Sequence, residues 1–207
     1  MAAPVAARPV LFAIYAFNVE VSRAPWVTEE PMIAEMRLQW WRDALEEIAN
    51  EGTVRRHEVT DPLAAVLDAQ GAKALDRLIA ARRWDVYKDG FEDAAHFADY
   101  LDATAGELMW QAARALGATE REAVVRFGRA CGLARYLAAV STLEEKGRVP
   151  LLDGREAAIA ELARDALKDR DKIKKRERAF KVPTTITFDI VGSEIYTIIE
   201  VDTRDRP

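Results

Sequence analysis

One cysteine, two histidines and no surplus of positive charge are what this 207-residue chain brings to the commonest kinds of site chemistry. The lone Cys131 excludes an internal disulfide and a cysteine-cluster zinc site, and it is compatible with a reducing compartment. A formal net charge of -5 removes the electrostatic case for a nucleic-acid partner, which normally shows a basic balance or patch. His57 falls in a polar connection and His96 near a helix start, neither in the company of a nucleophile. Long apolar runs are missing as well: no stretch reaches the length of about 18 residues that spans a bilayer. The opening "MAAPVAARPVLFAIYAF" is interrupted by Arg8-Pro9 and leads into patterned sequence without an A-x-A cleavage site, so it does not read as a signal peptide. The expected location is the cytoplasm, with peripheral contact at the inner membrane face left open.

What is present is helical pattern. Leu11, Ile14, Tyr15, Asn18 and Val19 recur at helical spacing over about 9–23. "APWVTEEP" breaks that segment, and Thr28 reads as the N-cap of a second helix that enters through Pro31 and runs to about Asn50. Asp61-Pro62 opens a third, divided near Gly71. Asp93 starts a fourth that ends on Gly117, and Thr119 reads as the cap of a fifth that ends on Gly147. A charged helix follows over about 155–179. Short connections between these segments predict antiparallel neighbours in one all-α bundle.

The last residues change character. "TTITFDIV" and "EIYTIIEV" flank Gly192-Ser193, a hairpin signal. The division expected is a helical domain over 1–180 and a tail over 181–207, either a β-hairpin or disordered. Such a hairpin could also extend the sheet of a protein partner.

Three separated blocks then carry a resemblance. "YAFNVEVSRA…MRLQWWRDALEEI", "YLDATAGELMWQAARALG" and "GRACGLARYLAAVSTLEEKGRVPLL" resemble, in order and spacing over roughly 8–152, the squalene/phytoene synthase family. The resemblance implies a helical bundle of the isoprenoid synthase type with a cavity between helices. It also implies head-to-head condensation of two prenyl diphosphates, with Mg²⁺ held by two Asp-x-x-x-Asp motifs on facing helices. Metal ions suit that chemistry because they neutralise the charge that develops on the leaving diphosphate.

Laid on this chain, the family's first pair of aspartates falls on Ser22 and Trp26, and the second pair on Ala139 and Leu143, with the motif's asparagine on Arg135. All four carboxylates are gone. Glu20 stands two residues before the first position, about 200° away around a helix. Asp85, Asp89 and Asp93 are spaced by four, but Gly90 interrupts them; Asp165 and Asp169 sit in a charged run that reads as a solvated face.

The departure itself is similar to an aspartate-lacking branch of the family, that of a mitochondrial complex I assembly factor. The resemblance therefore implies a pseudoenzyme without cofactor, which binds an isoprenoid-like lipid or a protein partner in assembly of a respiratory complex. The alternative is a Mg²⁺-dependent prenyltransferase of isoprenoid biosynthesis whose acidic residues come from other positions. Candidate cavity or interface residues are Tyr15, Asn18, Glu20, Arg37, Trp40, Trp41, Tyr100, Gly106 and Arg135. Each has a plainer reading. Trp40 and Trp41 can be core, Arg37 and Arg42 can pair with Glu46 or with another helix, and Asn18 and Glu20 can bridge to Arg37 or Tyr100 as buried polar groups that need partners. Gly106 suits a close approach between helices.

Overall fold

The computed structural model describes residues 3–177, 184–191 and 194–201, with side chains over 3–168. Eight α-helices precede two strands. Helix α1 (Arg8–Arg23) carries Leu11, Ile14, Phe17 and Val21 inward, a spacing of three and four that lines up one face. Helix α2 (Pro31–Ala49) does the same with Ala34, Leu38, Trp41, Leu45 and Ile48. Together with α3 (Thr60–Ala64) and α4 (Ala69–Arg82) they build the main core, where Ile14, Phe17, Leu38, Leu75 and Leu78 have no exposed surface. Burying each such side chain contributes roughly 1.5–3 kcal/mol.

Helices α5 (Ala94–Leu101) and α6 (Glu107–Ala115) are separated by a π-helical turn, Asp102–Gly106. Helix α7 (Arg121–Glu145) packs against this turn and α6, and α8 (Glu156–Glu177) lies along α7. The close approach is built from small residues. A Cβ on Gly128 would stand 2.8 Å from the Ala105 carbonyl oxygen, and one on Gly106 would stand 3.0 Å from Val125. Gly106 therefore serves helix packing. A second, aromatic cluster of Phe91, Phe97, Tyr100 and Tyr136 closes the other side, with Trp84 stacked on Phe91 at 4.0 Å.

Several sequence expectations need correction. Thr28 accepts a hydrogen bond from the Glu30 N–H at 3.1 Å and so shapes the turn before α2, whose N-cap is Glu30. Thr119 does not cap α7 either; Glu120 holds that position without a side-chain bond. The division of the third helix near Gly71 is found as expected, since Asp68 accepts from the Gly71 N–H at 2.7 Å and starts α4 afresh. The helical stretch Val5–Trp26 is long and apolar enough by length and composition to cross a membrane, contrary to the count of unbroken apolar residues. It also supplies Ile14, Phe17 and Val21 to the core, as a helix inside a bundle does.

Strands β1 (Thr184–Val191) and β2 (Glu194–Val201) pair antiparallel, with Val191 opposite Glu194. The same register pairs Ile186 with Ile199 and Ile190 with Ile195. The expected turn at Gly192-Ser193 lies outside the described residues.

Candidate functional site

Helix α7 presents Gly128, Gly132, Arg135, Ala139, Leu143 and Lys146 to one cavity of about 400 Å³. Steps of three and four keep these on a single helix face, and the stripe runs about 27 Å at 1.5 Å per residue. Opposite it stand Tyr15 and Asn18 of α1, Trp26 just beyond α1, Arg82 of α4, Tyr100 and Leu101 of α5, and Leu108 and Met109 of α6. The volume lies within the range of small-molecule sites. One end is apolar, floored by Leu101, Ala105, Leu108 and Met109 against Gly128 and Gly132; at the other end α7 finishes beside Trp26.

Three of the four positions matched to the family's aspartates line this cavity: Trp26, Ala139 and Leu143. Ser22 does not; its hydroxyl donates to the Val19 carbonyl at 3.1 Å on a half-exposed side of α1. Of the candidate residues, Tyr15, Asn18, Tyr100 and Arg135 line this wall, and Gly106 does not. Glu20, Arg37, Trp40 and Trp41 gather elsewhere, with His57, around a smaller pocket of about 180 Å³. There Trp41 is buried and meets Trp40 edge-on at 4.9 Å, while the Arg55 guanidinium lies 5.1 Å from the Trp40 ring.

The expected polar bridges did not form as read. Asn18 Oδ1 is buried without a hydrogen-bond partner. Arg42 pairs with another helix, one of its two plainer readings, because the facing α4 offers the bidentate carboxylate of Asp76 at 2.7 Å.

The wall carries one carboxylate, Asp85, and it is fully engaged. Arg82 Nη1 donates to Asp85 at 2.9 Å and to the Tyr100 oxygen at 2.7 Å, and the Tyr100 hydroxyl donates to Asp85 at 2.9 Å. Asp93 is likewise occupied, capping α5 by accepting from the His96 N–H at 2.8 Å. Asp165 pairs with Lys168 at 2.8 Å on an exposed face, and the Asp169 side chain lies outside the described ones. Among the described residues no group of three or more His, Cys, Asp or Glu is placed to hold a metal ion. The residues present do not fit a magnesium cluster, which needs several carboxylate oxygens free to coordinate.

The wall's tyrosines and its cysteine stay neutral. Burial pushes the Tyr15, Tyr100 and Tyr136 hydroxyls above the usual phenol range and the Cys131 thiol up to about 12. Three cations, Arg82, Arg135 and Lys146, thus face one anion, Asp85, so the cavity is positive inside a chain whose formal net charge is -5. At the mouth the Lys146 ammonium lies 4.4 Å from the Trp26 ring centroid, and the Arg148 guanidinium carbon 4.8 Å from it. Arg148 is held by donating to the backbone carbonyls of Asp85 and Tyr87.

Arg82, Lys146 and Arg148 were missed in the sequence. "EEKGRVP" reads as a charged helix end, and its aromatic partner Trp26 is remote in the chain. The signal that was there is the stripe from Gly128 to Lys146, small and apolar at its start and cationic at its end.

Comparison with known proteins gives two kinds of relative. A 46-residue stretch is 83% identical to the bifunctional uridylyltransferase/uridylyl-removing enzyme of Ruegeria pomeroyi, covering 22% of this chain and 5% of that enzyme. The corresponding enzyme of Cereibacter sphaeroides is 74% identical over 46 residues, again 5% of its length. Over 143 residues the chain is 29% identical to the NADH dehydrogenase (ubiquinone) complex I, assembly factor 6 homolog of Drosophila melanogaster, covering 64% of this chain and 42% of that protein. The chain therefore spans less than half the length of each of these relatives. The family model for squalene/phytoene synthase matches residues 1–172, and this match, on an all-α bundle with a cavity between its helices, places the chain in the squalene/phytoene synthase family.

Proposed function

We propose that this protein is a non-catalytic binding member of its family, holding an isoprenoid-like lipid in the cavity and acting in the assembly of a respiratory complex. The observation that carries this reading is a cavity that persists while Trp26, Ala139 and Leu143 stand on its wall at positions the family gives to metal-binding aspartates. None of these side chains can ligate Mg²⁺, and the one carboxylate on the wall is neutralised by Arg82. Without a metal the charge developing on a departing diphosphate has no strong Lewis acid to receive it. Leu101, Leu108 and Met109 supply the apolar lining that a polyisoprene chain requires. Similarity to a complex I assembly factor 6 homolog supports the assembly role. Work at the inner face of a membrane, where lipids and respiratory complexes meet, fits both halves of the proposal.

The test is titration of the purified chain with farnesyl and geranylgeranyl diphosphate, with and without Mg²⁺, alongside mass-spectrometric product analysis. Binding that ignores the metal, with no condensed product, is the expected outcome. Metal-dependent turnover would overturn the reading and return the protein to the prenyltransferases.

A further inference from the structure

We infer that the smaller pocket, on the side of α1 turned away from the cavity, is a second binding site whose ligand is a small zwitterion of the α-amino-acid type. Its volume of about 180 Å³ is lined by Glu20 and Ala24 of α1, Arg37, Trp40 and Trp41 of α2, and His57 of the connection before α3. None of these six residues lines the larger cavity. The separation follows from the helix itself, since Glu20 stands two residues from Asn18 and so about 200° around α1 from it. The pocket is smaller than the range of about 300–1,000 Å³ that drug-sized ligands occupy. A single amino acid suits it better.

The back of the pocket is an aromatic wall set in place beforehand. The Trp40 and Trp41 centroids are 4.9 Å apart, and the His57 ring stands 5.3 Å from each. The connection that carries His57 is pinned by the fully buried Thr60 hydroxyl, which donates to the Arg55 carbonyl at 2.6 Å. His57 Nδ1 accepts from the Val59 N–H at 3.2 Å, so in the neutral ring the proton sits on Nε2, the nitrogen left to donate. In front of this wall stand one carboxylate and one guanidinium. Nearby, Arg42 and Arg55 are committed to Asp76 and Glu47, each at 2.7 Å. Glu20 and Arg37 differ: among the described residues neither has a hydrogen-bond or ion-pair partner, and they do not pair with each other. One ligand can satisfy both. Its carboxylate would take Arg37 and the His57 Nε2–H, and its ammonium would take Glu20 and an indole face. The remaining ring surface suits an apolar side chain. A pure anion would meet Glu20 and a pure cation Arg37, so the pair selects against ligands of a single charge.

Isothermal titration calorimetry of the full chain through the millimolar range tests this with three probes. Leucine carries both charges, leucinamide lacks the carboxylate, and N-acetyl-leucine lacks the ammonium. Leucine is expected to bind at least about fivefold more tightly than either analogue. Arg37→Gln is expected to lower leucine to the level of leucinamide, and Glu20→Gln to lower it to the level of N-acetyl-leucine, both with unchanged near-UV circular dichroism. Equal affinity for the three probes in the unaltered chain would overturn the inference, since the charged pair would then be idle. N-acetyl-leucine binding as tightly as leucine would overturn it too, and would point to the carboxyl terminus of a partner chain instead. Failure of all three to bind would also overturn it. No outcome touches the lipid-binding reading, whose cavity shares no residue with this pocket.

Discussion

Asp85 shows how a single residue changes meaning between sequence and fold. With Asp89 and Asp93 it forms a row of acidic residues spaced by four, yet Gly90 ends that row and Asp93 is used to cap α5. Asp85 itself is 4% exposed and ion-paired with Arg82. Asp85→Ala should therefore leave a largely buried guanidinium uncompensated and destabilise the fold by about 3 kcal/mol, read from urea midpoints. The buried phenols make a second prediction. Tyr15, Tyr100 and Tyr136 are raised above 10.0 by burial, so the unfolded chain gives up those protons first as pH rises past that value. Stability should hold below about pH 10 and fall above it, with the absorbance of these three tyrosinates appearing only on unfolding. The Cys131 thiol, pushed up to about 12, should likewise react with a thiol reagent near pH 8 at least roughly tenfold more slowly than free cysteine. At this scale the sequence was legible where identity alone decides, as at Trp26, Ala139 and Leu143. It was illegible where a side chain's partner is distant, as with Lys146 on Trp26.

Among the elements, α7 and the π turn facing it govern the cavity. Gly128 and Gly132 let α7 approach so closely that added Cβ atoms would stand 2.8 Å from the Ala105 oxygen and 2.4 Å from the Ala105 Cβ. Gly128→Val should destabilise by about 1–3 kcal/mol through overpacking, with a lower Tm. Gly154→Ala, where a Cβ meets nothing within 4 Å, is the control and should change Tm little. The periodicity of α1 made part of its inward face readable in advance, at Leu11 and Ile14, because burial on one side imposes a spacing of three and four. The break before α4 was readable near Gly71 but its cap was not, since Asp68 is one carboxylate among many until its oxygen is seen on the Gly71 N–H. The π turn left no mark in the pattern at all, because one extra residue per turn disturbs the spacing less than ordinary substitution does.

For the molecule as a whole, the family match covers residues 1–172 and so takes in the bundle as far as most of α8. A chain cut after residue 178 is therefore expected to keep its helical circular dichroism, its cooperative melt and its ligand binding. Loss of cooperative unfolding in that shorter chain would show that the strands complete the core. The bundle was legible from helical periodicity and short connections. The cavity was implied by the family resemblance and by no pattern in the residues themselves, because it arises where α1, α4, α5, α6 and α7 leave space between them. Its shape also depends on the helical phase set at Asp102–Gly106. Removing one residue there would convert the π turn to ordinary α-helix and rotate everything after it by about 100°. Leu108 and Met109 would swing off the cavity floor, and Glu107 would lose its 2.6 Å contact with Arg121. Side-chain substitutions in this turn should be far better tolerated than the loss of a single residue, because its length, more than its chemistry, aims α6.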